Sequence, residues 1–115
     1  MKATDYKSKN PQRVLAKFFD CCKRRAWKQI LKHVQSSWLA RHKEPSKELR
    51  MAFRGIYDVE DMGIIFHKKR TSHTLSVNIK RSIEGKSHTS IVQSHREAKL
   101  TYEEGKWRVD PESIR

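Results

Sequence analysis

The sequence predicts a small α+β domain, helices first and then an antiparallel sheet that ends in a hairpin. Three observations carry this. Apolar residues recur at helical spacing as far as Gly55, they alternate with polar residues from Tyr57 onward, and the alternating runs are joined by short turns. Helices grouped at one end of the chain must then cover one face of the sheet. The 115 residues suit a single hydrophobic core.

Residues 1–10 are polar and predict a flexible N-terminus; residues 11–115 form the domain. Asn10-Pro11 is a helix-start signal, because Asn accepts free amide hydrogen bonds and Pro is preset for the first helical position. Val14, Leu15, Phe18, Phe19 and Cys22 then fall on one stripe, with Arg13, Lys17, Asp20 and Lys23 facing away. Lys23-Arg24-Arg25 predicts a short corner. Trp27, Ile30, Leu31, Val34 and Trp38 predict a second helix, whose polar side carries Lys28, Gln29, Lys32, His33 and Gln35. Glu44-Pro45-Ser46 breaks and restarts the chain. Leu49, Ala52 and Phe53 make a third, shorter stripe, with Gly55 placed as its C-terminal cap.

Tyr57 and Val59 alternate with Asp58 and Glu60, and Gly63 interrupts the alternation before Ile64-Ile65-Phe66, which predicts a bulge. Leu75, Val77, Ile79 and Ile83 alternate with Ser76, Asn78, Lys80 and Ser82 along a second strand. Glu84-Gly85-Lys86 predicts a turn. The next strand runs from Thr89 to Glu103 with Val92, Ala98, Leu100 and Tyr102 on one parity, and Glu104-Gly105 turns it into a last strand through Trp107 and Val109, stopped by Pro111.

The charge is lopsided. The chain carries 26 Lys and Arg against 13 Asp and Glu, net +13. Residues 1–55 hold 15 basic and 4 acidic groups, net +11, whereas residues 56–115 hold 11 and 9, net +2. Such a field attracts polyanions and steers their association. Cys21 and Cys22 are adjacent, too close in sequence for ordinary disulfide geometry, which fits a reducing compartment. No apolar run reaches the roughly 18 residues of a membrane span, and the N-terminus lacks a signal-peptide core, so a cytoplasmic protein is expected.

The element pattern is similar to that of the nuclear transport factor two-like superfamily. The resemblance rests on the Phe18-Phe19 pair in the first helix, Trp27 opening the second, the Tyr57-x-Val59 strand, and above all the closing segment from Arg96 to Ser113 with its Glu104-Gly105-Lys106-Trp107-Arg108-Val109 hairpin. It spans roughly residues 11–114. It implies a cone, with the helices inside a strongly curved antiparallel sheet, an open mouth, and a homodimer through the sheet. The superfamily includes isomerases, dehydratases and non-catalytic binding modules, so the fold implies no reaction. No local motif matches its catalytic members.

Among the chemistry-bearing residues, the six histidines show no metal-binding spacing and the cysteine pair lacks the two-residue gap of a zinc site, so no metal and no cofactor are expected. The stripe buries Cys22, which favours a packing role over a nucleophile. Asp58 and Glu60 share a parity that faces solvent. Two basic clusters remain: Lys23, Arg24 and Arg25 with Lys28 and Lys32, and Lys68, Lys69 and Arg70 at a strand end. Both suit phosphate or carboxylate contacts, without the interleaved aromatics of RNA-binding modules. The expected function is therefore a non-enzymatic binding or assembly module whose basic helical face meets an acidic protein or nucleic acid. The alternative is a pocket inside the cone for a small molecule or an isomerase-like reaction, lined by Trp38, Tyr57, His67 and His95.

Overall fold

The computed structural model describes residues 11–69, 72–84 and 89–115, and within these the side chains outside 60–69, 83–84 and 89. Among the described residues, three helices pack against a four-stranded, strongly curved antiparallel half-barrel, an α+β architecture. The helices are α1 (Pro11–Arg24), α2 (Ser36–Arg41) and α3 (Pro45–Phe53). The strands are β1 (Ile56–Lys69), β2 (Ser72–Glu84), β3 (Thr89–Glu103) and β4 (Lys106–Val109), in the spatial order of the sequence. Single-turn 3₁₀ segments lie at Gln29–His33 and Pro111–Ile114. The expected N-terminal tail and the turn residues Gly85 and Lys86 lie outside the described residues.

Helix α1 buries Leu15, Phe18, Phe19 and Cys22 as its periodicity requires, and Cys21 with them. It ends in a Schellman motif: the Ala26 amide donates to Cys21 O at 2.8 Å and the Arg25 amide to Cys22 O at 3.2 Å. The left-handed position is filled by Arg25 at φ 59°, where glycine is the usual choice. This is the expected corner.

The second helix is not continuous. Where Trp27 to Trp38 predicts one stripe, the chain makes a 3₁₀ turn, extends through Val34 and Gln35, and only then starts α2. The interruption has a cause in the sheet. Val34 bridges to Val109 in parallel, and the Gln35 amide donates to Val109 O at 3.0 Å. Backbone groups there bond β4 in place of a helical turn. Ile30, Val34 and Trp38 are buried all the same.

Helix α3 has Pro45 in its first turn and buries Leu49 and Phe53. Its C-cap is Arg54, in ordinary right-handed geometry, so Gly55 is not the left-handed cap expected. Gly55 serves a close approach instead: its carbonyl accepts from the Ser82 amide at 2.8 Å, and a Cβ there would lie 2.7 Å from the Ser82 carbonyl oxygen.

Strands β2 and β3 pair without a shift from Ser72↔Thr101 to Glu84↔Thr89. In the β1–β2 pairing the register shifts between Ile56 and Asp58, between Asp61 and Ile65, and between Ile65 and His67. The middle shift brackets Gly63, as the broken alternation predicts. The first makes Tyr57 an extra, bulged residue. Leu75, Val77, Ile79, Ala98 and Leu100 face the helices from the concave side, where Trp107 and Val109 complete the core.

Candidate anion-binding groove

A groove of about 860 Å³ opens where the α1 corner, the end of α3 and the first bulge of β1 meet β2. Lys23 and Arg25 border it from the corner, Met51, Ala52 and Arg54 from α3 and its cap, Ile56 and Tyr57 from β1, and Arg81 and Ser82 from β2. Each position has a local cause. The Schellman turn swings Arg25 out of the helix line. The bulge turns Tyr57 outward, leaving the residue 45% exposed. The missing Cβ of Gly55 lets the α3–β1 link lie against Ser82, which carries Arg54 up to Arg81.

The groove is strongly electropositive. Among the described residues, four cationic side chains line it and no carboxylate does. Among the described residues, none of the four forms an ion pair. Burial first, and then the neighbouring Arg96 guanidinium, lower the pKa of Arg81 from its ordinary value. Uncompensated positive charge of this kind is what an anion relieves.

The first basic cluster divides in space. Lys23 and Arg25 enter the groove. Arg24 turns away to donate through Nε to Asp20 at 2.7 Å. Lys28 is exposed at the corner. Lys32 belongs to another basic region, where it joins Lys17, Lys106 and Arg108 around His33 and, after burial, helps to lower the pKa of that imidazole. Of the second cluster, Arg70 lies outside the described residues, as do the side chains of Lys68 and Lys69.

Of the four residues expected to line a pocket inside the sheet, Trp38, Tyr57 and His95 are not brought together. Trp38 is buried at 2% exposure, stacks on His42 with ring centroids 3.9 Å apart, and donates through Nε1 to Glu112 at 2.9 Å. These contacts make it a packing residue. His95 is exposed and pairs through Nδ1 with Asn78 at 3.2 Å. Tyr57 lies in the basic groove. The His67 side chain lies outside the described residues. On the concave face Trp107 lies against His73, with ring centroids 4.5 Å apart.

Cys21 and Cys22 are both buried, and burial pushes both thiols above their ordinary pKa. Asp58 is exposed, with Lys80 Nζ 3.9 Å away. No group of three His, Cys, Asp or Glu side chains among the described residues could hold a metal ion.

Sequence reasoning missed Arg54 and Arg81. Arg81 did leave a signal: it occupies the parity of Leu75, Val77 and Ile79, so it is a charge on the face where alternation demands an apolar residue. Arg54 left none, because its place depends on the Gly55–Ser82 contact. Compared with known proteins, the chain matches no family model and no curated sequence. No helix among the described residues is long and apolar enough to cross a membrane.

Proposed function

We propose that this chain is a non-enzymatic binding module that holds an acidic or polyanionic partner in the basic groove. The observation that carries the reading is the convergence of Lys23, Arg25, Arg54 and Arg81 from three separate parts of the chain, with no acidic side chain among the described residues that line the groove. Ion-paired surface charges are usually interspersed in sign; a single-sign concavity focuses the field on a ligand. The helical half supplies three of the four cations, in keeping with the +11 that it carries. The curved α+β half-barrel is consistent with a cone-like fold.

The test is a salt titration of binding to a labelled polyphosphate followed by fluorescence anisotropy. Affinity should fall linearly on a logarithmic salt axis, and Arg54→Gln and Arg81→Gln should each reduce the slope by about 1. Binding unaffected by both substitutions overturns the groove as the site.

A further inference from the structure

The cations share the groove with uncharged side chains, two of which are large and exposed. Tyr57 from β1 and Met51 from α3 are 45% and 64% exposed, although both are large hydrophobic side chains. A simple electrostatic site for carboxylates or phosphates needs no such side chains. Tyr57 is also displaced by design of the strand: it is the extra residue between Ile56↔Arg81 and Asp58↔Lys80, so its ring leaves the parity that would have packed it on the core.

An exposed aromatic face flanked by Lys and Arg is the arrangement that binds an unstacked nucleobase together with its phosphates. Duplex DNA or RNA offers base edges and keeps its base faces stacked, so it cannot use the ring. An acidic peptide could satisfy the cations but has no flat π-system to match it. We propose that the groove binds single-stranded nucleic acid, with a base stacked on Tyr57 beside Met51 and the flanking phosphates held by Lys23, Arg25, Arg54 and Arg81. This rests on the polyanion reading above and names its ligand. The volume of about 860 Å³ is at the upper end for a small-ligand site and leaves room for a nucleotide and part of its neighbours.

Stacking on an aromatic side chain discriminates between bases weakly, since every base has a face. The module should therefore bind without marked sequence preference. Phosphate contacts set the register of the strand, and the Tyr57 ring makes the site selective for unpaired over paired segments.

The experiment is fluorescence anisotropy with a labelled oligothymidylate of about twelve nucleotides, against a duplex of equal length and a polyglutamate of equal charge. Single strands should bind tightest. Tyr57→Leu should weaken them by roughly 5- to 100-fold while Tyr57→Phe stays within about two-fold, and neither change should alter binding of polyglutamate. Both variants alter an exposed side chain, and circular dichroism checks that they fold. If Tyr57→Leu binds oligothymidylate as well as the wild type, or if duplex and polyglutamate bind as tightly as single strands, the single-strand assignment is overturned and the polyanion reading stands. If replacing all four cations by Gln leaves every ligand bound as before, both are overturned.

Discussion

The Gly55 carbonyl accepts the Ser82 amide at 2.8 Å, while the Ser82 carbonyl oxygen stands 2.7 Å from where a side chain at position 55 would begin. The chain leaving α3 is thus pressed against β2 at the floor of the basic groove, and only a residue without a Cβ allows it. The obstructing atom is backbone, so it cannot move aside as a flexible side chain would. Gly55→Ala should cost about 1–3 kcal/mol, the range for overpacking a tight site. Urea unfolding should show a lower midpoint with an unchanged slope.

A second relationship ties the C-terminal 3₁₀ turn to α2. Trp38 donates to Glu112, and this bond, ahead of the attraction of Arg115, holds the Glu112 carboxyl below its usual pKa. A carboxylate whose pKa is lower folded than unfolded contributes stability above the ordinary carboxylate range. That contribution is lost as pH falls through the folded value. Trp38→Phe keeps a buried ring over His42 but removes the donor. Because the Glu112 side chain is 44% exposed, solvent screening keeps the loss from the bond at neutral pH below about 1 kcal/mol. The gap in melting temperature between Trp38→Phe and wild type should narrow as pH falls through the folded value and Glu112 becomes protonated in both.

What could be read from the sequence follows the range of the interactions that decide each element. Helix α1, the restart at Pro45 and the β2–β3 alternation depend on neighbours a few residues away, and the residues themselves carry the information. The break after His33 depends on Val109, some 75 residues later in the chain, so the apolar stripe through Trp38 concealed it. Tyr57 shows the same limit on a smaller scale. Strict alternation places it with Val59, but the bulge moves it to the other side, and the bulge exists only in the pairing with Lys80 and Arg81. The groove draws on both kinds of information. Lys23 and Arg25 were legible as a charge cluster, whereas Arg54 and Arg81 join them through tertiary contact.

The basic region away from the groove makes a pH prediction of its own. His33, on the 3₁₀ turn, is half-buried and faces Lys17 of α1, its own neighbour Lys32, and Lys106 and Arg108 of β4. Burial first, then these cations, disfavour its protonated form. The folded pKa is therefore below the unfolded one, and the protein gains stability with rising pH and loses it as pH falls through the folded value. Between about pH 7 and 5 the wild type should lose more stability than His33→Gln, which cannot take up the proton. Chemical denaturation at a series of pH values measures this, and parallel curves would assign the acid sensitivity elsewhere.

Arg25 sets stability against binding. It holds φ 59° at the end of α1, a conformation that costs a side chain about 1 kcal/mol or more and glycine almost nothing. Arg25 also lines the groove. Arg25→Gly should raise stability by up to about 1 kcal/mol by completing the glycine form of the Schellman motif. The same change removes one of the four cations, so it should weaken polyanion binding and lower the salt slope by about 1. Arg25→Lys separates the two effects, because it keeps both the strained backbone and the charge: stability should stay at the wild-type level and most of the binding should remain. Thermal melts and salt-dependent anisotropy on the three proteins give both readouts. A stabilised Arg25→Gly with undiminished binding would mean that Arg25 does not contact the ligand, and the anion site would have to be redrawn around Arg54 and Arg81.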